Sequence, residues 1–329
     1  MNTESVRGGS PADRPYTAGY RFHPGLLHPR HWPLWLLLAL LFAIGRLPFS
    51  WVVALGRWTG RRLLQLGGKR RAIAWRNLEL CFPEKTLEER QQLLKRNFEF
   101  LGVALLEPGV AWFSSRKRIL RISRVLGLSN LLQAGGELRG VLINSLHMLC
   151  AEMALRVIGE HFSFNILYRV HDNPVYEYVS AVGRARARYK SRFIPRKQVR
   201  DLLYFLERNE IGLILPDQDF GGRHSRWIPF FGVEAATITS TSDFARLSDA
   251  AVVMGTCYLD ADNRYVVQVS EPLEQFPTDD SEADTARVSA LTEAFIRQHP
   301  DQYLWQHRRF KRRPRGQKSL YDAAASRKG

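Results

Sequence analysis

From Leu138 onward, short apolar runs alternate with segments whose apolar positions recur every three or four residues. Runs of four to eight apolar residues between turn signals read as buried strands, and the longer periodic segments read as helices. The pattern predicts strands over Gly140–Ile143, Phe164–Tyr168, Ser191–Ile194 and Ile211–Leu215. It predicts helices over Met148–Ile158, Pro174–Tyr189, Gln198–Glu207, Ile238–Leu247 and Ala283–His299. Ala251–Leu259 and Tyr265–Ser270 read as a hairpin around Asp262-Asn263. Strand–helix alternation of this kind predicts an α/β fold: a mixed, mainly parallel sheet covered by helices.

Upstream the pattern is different. Trp32–Ile44 is thirteen residues of nearly unbroken apolar sequence, interrupted at Gly45-Arg46 and Pro48 and resumed as far as Leu55. Thirteen residues fall short of the twenty or so that cross a bilayer, but Trp32–Leu55 is long enough if Arg46 snorkels or the helix bends. The reading is an N-terminal membrane-anchor helix, either spanning or lying in the interface, with Trp32, Trp35, Trp51 and Trp58 suited to the headgroup layer. Eight Lys/Arg between Arg46 and Arg76, against four in residues 1–30, place the C-terminal bulk in the cytoplasm by the positive-inside rule. Thr86-x-x-Glu89 is a capping box, and Leu93, Leu94, Phe98, Leu101 and Leu105 carry a helix onward from it.

These patterns divide the chain into a mobile tail (1–30), the anchor (31–56), a basic, helical, membrane-proximal region (57–137), an α/β core (138–315) and a second tail (316–329). Composition narrows the partners. A net charge of +16 points to an anionic membrane, nucleic acid or another anionic partner. No nucleic-acid-binding signature is present, so nucleic acid is not expected. Seven of the positive charges fall in residues 308–318. Three widely spaced cysteines with no CxxC fit buried thiols in a reducing compartment rather than a disulfide framework or zinc site.

Four clusters carry candidate chemistry. His147 and Glu152 lie where the strand Gly140–Ile143 gives way to a helix. Five positions on a continuous helix put them about 140° off a shared face, so pairing needs His147 just ahead of the helix and Glu152 in its early turns. Spacing alone gives such a pair little weight. Tyr168-Arg169 leads into His171-Asp172-Asn173-Pro174, where Asn173 suits an N-cap and Pro174 the first helical position. Arg184 and Arg188 present two guanidinium groups on one helix face. Asp217 and Asp219 follow a strand's C-terminal end, the edge where open α/β sheets bind ligands. The two aspartates lack a third ligand at suitable spacing, so no metal is expected.

In order along the chain stand HPRHWPLW, RNLELCFPE, HMLCAE, YRVHDNP, GRAR, PDQDFG, FFGVEAATITS and QYLWQHRRFK. This ordered set resembles the lipid A biosynthesis lauroyl/myristoyl acyltransferases, a branch of the lysophospholipid acyltransferase superfamily with Glu in place of Asp in its HxxxxE motif. The resemblance implies a glycerolipid acyltransferase-like fold. It implies transfer of a fatty acyl chain from acyl carrier protein to the hydroxyl of a 3-hydroxyacyl chain on the Kdo-bearing tetraacyl lipid A precursor, at the inner membrane, with no cofactor. HPRHWPLW leans the chain length toward lauroyl.

By position, the family's functional residues fall on His147, Glu152, Arg184 and Asp217, with Arg169 and Asn173 as further matches. In that scheme His147 is the general base and Glu152 orients its ring. Arg184 either stabilises the oxyanion or grips a phosphate, and Asp217 orients Arg184 or binds a sugar hydroxyl. A related acyltransferase acting on a lysophospholipid or aminolipid, and a non-catalytic membrane-tethered basic binding protein, are the alternatives.

Overall fold

The computed structural model describes residues 10–14, 16, 21–136, 139–221 and 225–321. Parts of both expected tails (1–9, 15, 17–20 and 322–329) and Gly222 lie outside the described residues. After short 3-10 turns ahead of Trp32 come five α-helices: α1 (Trp32–Arg46), α2 (Phe49–Leu66), α3 (Gly68–Cys81), α4 (Leu87–Phe113) and α5 (Arg116–Arg121). Then follow β1 (Ser123–Leu126), α6 (Leu128–Gly135), β2 (Val141–Ser145), α7 (Ala151–Ile158), β3 (Asn165–Tyr168) and α8 (Pro174–Arg184). Next are β4 (Arg192–Pro195), α9 (Val199–Leu206), β5 (Ile211–Ile214), β6 (Ser225–Phe230) and β7 (Val233–Ile238). The described chain closes with α10 (Ser240–Ser248), β8 (Ala251–Leu259), β9 (Tyr265–Pro272) and α11 (Ser281–Gln298).

Seven strands form one sheet in the order β1-β9-β8-β2-β5-β3-β4. Every neighbouring pair is parallel except β8 with β9. The mixed, mainly parallel sheet expected from the sequence is therefore present. Period-two alternation feeds a core on each face. Leu142, Ile214 and Val252 pack with Leu202, Phe205 and Phe244 of α9 and α10. Ile143, Leu213 and Val253 belong to the larger core, which includes Leu106 and Val110 of α4 and Met153 and Val157 of α7. The Thr86–Glu89 capping box is formed, with Glu89 N–H donating to Thr86 Oγ1 and Thr86 N–H donating to Glu89.

The expected membrane anchor is corrected in its spanning form. Trp32–Leu55 is two helices with a break at Leu47-Pro48, and among the described residues no helix is long and apolar enough to cross a membrane. The apolar run is divided between two surfaces. Leu38, Leu41, Ile44, Val52 and Val53 are buried, and both helices pack closely on α4 at glycines. A Cβ on Gly60 would lie 1.9 Å from the Phe98 carbonyl oxygen, and one on Gly109 2.2 Å from that of Leu41. Trp32, Leu36, Leu37, Leu40, Trp51 and Trp58 stay exposed on the outer side.

The β6–β7 hairpin was not expected, and its last residue, Ile238, lies where a helix was predicted to begin. Its two-residue turn, Phe231-Gly232, has φ of 51° and 74°. Hairpin turns of this kind need positive φ at both positions, which Gly accepts and Phe disfavours, so the sequence carries only half of the usual signal. Part of the basic stretch at 308–318 clamps this hairpin. Arg309, nearly fully buried, donates to the Ala236 carbonyl and to Thr237 Oγ1.

Candidate active site

Parallel pairing of β2 with β5 sets Asn144 beside Ile214. Three residues beyond each, past the ends of both strands, stand His147 and Asp217. His147 Nδ1 lies 2.6 Å from Asp217 Oδ1, and the His147 backbone N–H donates to Asp217 Oδ2 at 2.9 Å. One carboxylate thus holds both the ring and the backbone of the same residue. With Nδ1 engaged, Nε2 is the ring nitrogen available to accept a proton.

The segment after α11 closes the other side. Met148 bridges Tyr303, Leu149 N–H donates to the Gln302 carbonyl, and Leu304 N–H donates to the His147 carbonyl. Buried amides brace this strap from beneath. Asn97 Nδ2 donates to the Asp301 and Tyr303 carbonyls, and Asn77 Nδ2 to those of Trp305 and His307. Tyr303 OH reaches Asp217 Oδ2 at 3.0 Å. Asp217 is 3% exposed against 27% for the imidazole. Its burial opposes ionisation, but electrostatic attraction to His147, two hydrogen bonds from that residue and one from Tyr303 hold its carboxyl below the ordinary aspartate value. The Tyr303 phenol is pushed well up, by burial first and by the Asp217 charge next.

Glu152 sits in the first turn of α7 and engages different partners. Arg184 donates to both of its oxygens, through Nη2 and, at 3.2 Å, through Nε; Trp112 Nε1 donates to it at 2.9 Å. Both side chains are about four-fifths buried. Burial opposes ionisation of each, yet each holds the other charged, with Glu152 shifted down and Arg184 up. Close packing makes the pair possible: a Cβ on Gly183 would lie 2.4 Å from Trp112 Cβ, so only glycine brings α8 this near α4. The Arg184 guanidinium also stacks 4.7 Å over the Phe193 ring.

The expected pairings are therefore exchanged. Asp217 orients His147, and Glu152 orients Arg184. The helix begins at Ala151 rather than Met148, and among the described residues no hydrogen bond links the two pairs. Asn173 caps α8, its Oδ1 accepting from Val175 N–H and Tyr176 N–H. Arg169 pairs with Asp172 at 2.8 Å on an exposed loop, and no hydrogen bond among the described residues ties it to either cluster. Tyr303, Trp112 and the buried Glu107, whose Oε1 accepts the Met153 N–H at 2.7 Å, were not anticipated as site residues. Tyr303 lies 86 residues from Asp217 in sequence, so no local spacing reveals it; QYLWQHRRFK marked the segment without marking the residue.

The model of the bacterial lipid A biosynthesis acyltransferase family matches residues 20–312. The chain belongs to that family. It is an acyltransferase. It is 36% identical over 303 residues to the lipid A biosynthesis lauroyltransferase of Escherichia coli strain K12, covering 92% of this chain and 98% of that one. It is 38% identical to the lipid A biosynthesis palmitoleoyltransferase of the same strain over the same shares. Similarity to that strain's lipid A biosynthesis myristoyltransferase is lower, 25% over 307 residues, covering 91% of this chain and 93% of the relative.

Proposed function

We propose that this chain is a late lipid A acyltransferase. It moves a fatty acyl group from acyl carrier protein to the hydroxyl of a 3-hydroxyacyl chain on the Kdo-bearing tetraacyl precursor. The observation that carries this reading is the 2.6 Å contact between His147 and Asp217 at the C-terminal edge of a parallel sheet, in a chain of this family. His147 Nε2 takes the acceptor hydroxyl's proton as the oxygen bonds to the thioester carbonyl carbon. The tetrahedral intermediate collapses by breaking the C–S bond, and the imidazolium protonates the departing thiolate. An ester and a free thiol result. Asp217 fixes the tautomer and stabilises the imidazolium. Arg184 has Nε and Nη2 occupied by Glu152, so the pair is assigned a positioning role, tying the first turn of α7 to the end of α8.

Two further parts of the reading concern the acyl chain and location. HPRHWPLW and the 36% identity to a lauroyltransferase favour a lauroyl donor; the 38% identity to a palmitoleoyltransferase makes that chain the second reading. The protein rests against the inner membrane's cytoplasmic surface through the exposed apolar residues of α1 and α2. Three buried free thiols suit that reducing side.

Incubating the purified protein with lauroyl-acyl carrier protein and the Kdo-bearing tetraacyl precursor tests the assignment by mass spectrometry. A pentaacyl product with equimolar carrier thiol is expected. Efficient acylation of a lysophospholipid, with none of the precursor, would reverse the choice of acceptor.

A further inference from the structure

A third group holds the His147–Asp217 pair. Asp217 Oδ1 faces the ring at Nδ1, while Oδ2 accepts from the His147 backbone N–H and, at 3.0 Å, from the Tyr303 hydroxyl. Tyr303 is 4% exposed. A buried phenol needs a partner for its O–H, and among the described residues Asp217 supplies it. Burial and the Asp217 charge keep the phenol protonated at ordinary pH, so the hydroxyl donates and the carboxylate accepts.

The backbone fixes where that hydroxyl stands. Tyr303 bridges Met148, and Leu304 N–H donates to the His147 carbonyl at 3.0 Å. Asn97 Nδ2 grips the Tyr303 carbonyl at 2.8 Å, and the Trp305 ring packs on the tyrosine edge-on, 4.8 Å between centroids. The links close on themselves. They run from the imidazole to Asp217, on to the Tyr303 hydroxyl, along the chain to Leu304 and back to the His147 carbonyl.

A donor on Oδ2 has two effects. It opposes rotation of the carboxylate, so Oδ1 stays on the ring. It also draws negative charge away from Oδ1, so the pair binds a proton less strongly.

We propose that Tyr303 is a positioning residue for acyl transfer: its hydroxyl aims Asp217 at His147 and sets the pH above which His147 acts as base. This rests on the reading of His147 as that base and deepens it. The other titratable or charged groups around the pair are His307 and Arg309 on the same segment, Asp219 beyond β5 and Cys81 on α3. Tyr303→Phe leaves all four in place.

That variant keeps the ring and removes the O–H. It is expected to lower kcat about 3–10-fold with little change in KM. The acid limb of its kcat/KM profile is expected to move upward by about 0.5–1 pH unit. The same move is expected in a His307→Asn background, which removes the neighbouring imidazole's own titration. 3-Fluorotyrosine in place of Tyr303 is a more acidic donor. It is expected to move the limb downward, and it keeps the test open if Tyr303→Phe fails to fold. A tyrosine that only fills space would leave the limb where it is, so limbs coinciding with wild type in the folded variants would overturn the proposal.

A measurement without substrate keeps this inference separate from the functional assignment. Diethyl pyrocarbonate reacts with the uncharged imidazole, and that of His147 is 27% exposed. The rate at His147, followed by peptide mass spectrometry across pH, is expected to show the same upward move in Tyr303→Phe. If that limb moves but no precursor is acylated, the acyl-transfer reading fails and the control of His147 by Tyr303 stands. If the precursor is acylated and neither limb moves, the inference fails and the reading stands.

Discussion

Asp217 holds His147 twice, through the imidazole Nδ1 at 2.6 Å and the backbone N–H at 2.9 Å. The ring's tautomer and the loop that carries it are therefore fixed by a single buried carboxylate. Asp217→Asn keeps the side chain's size but presents an uncharged amide, removing the charge that stabilises the imidazolium. It is expected to lower kcat about 10²–10⁴-fold with little change in KM. Steady-state kinetics, with circular dichroism to confirm folding, provide the check; turnover within a few-fold of wild type would remove Asp217 from this role.

The Glu152–Arg184 pair is assigned to architecture, and stability measurements test that. Glu152→Gln and Arg184→Gln each leave one mostly buried charge without its partner. Each is expected to cost on the order of 3 kcal/mol in chemical denaturation. The double variant Glu152→Met/Arg184→Met is expected to recover most of that loss. If single variants keep wild-type stability while losing turnover, the pair acts on substrate instead.

Burial, and then the neighbouring Glu152 charge, push the Glu107 carboxyl well above the ordinary glutamate value. Its folded form holds a proton that the unfolded chain releases near pH 4.5. Between those two values the native state binds more protons, so this group's contribution falls as pH rises. Glu107→Gln preserves an acceptor for Met153 N–H and removes the titration. Its stability relative to wild type is expected to rise from pH 4 toward pH 8, read from denaturation midpoints. Asp217 has the opposite sign: its lowered value means its contribution is complete above the ordinary aspartate value and is lost as pH falls through the folded one.

Leu36 and Leu40, 72% and 55% exposed, stand one turn apart on the outer face of α1. Leu36→Ser/Leu40→Ser is expected to weaken binding to anionic vesicles roughly 10–100-fold. Turnover of detergent-solubilised substrate should stay near wild type. Unchanged vesicle sedimentation would rule out this face as the membrane contact.

Six of the sheet's seven strands and most of its helices were legible because their apolar periods are clean: Leu142 and Ile143 point into opposite cores, and α10 is displaced only because Ile238 belongs to a hairpin; β1 (Ser123–Leu126) was missed, lying in a stretch expected to be helical. The break after Arg46 was visible as Pro48, but its consequence was not, because α4's glycines decide how much of α1 and α2 faces inward. At the site, all four principal residues could be named from sequence, but not their partners. Whether Asp217 meets His147 or Arg184 is set by the register between β2 and β5, a relation between strands 70 positions apart. Tyr303 needed the buried amides of Asn77 and Asn97 to bring its segment back across the sheet edge.

The most direct test of the proposed chemistry is single-turnover acyl transfer by purified His147→Ala, set against wild type, with acyl carrier protein thioester and the Kdo-bearing tetraacyl precursor. If His147 Nε2 is the base, the variant should fold normally and form the ester at least about 10²-fold more slowly. Ester formation at the wild-type rate would show that the proton leaves the acceptor hydroxyl by another route.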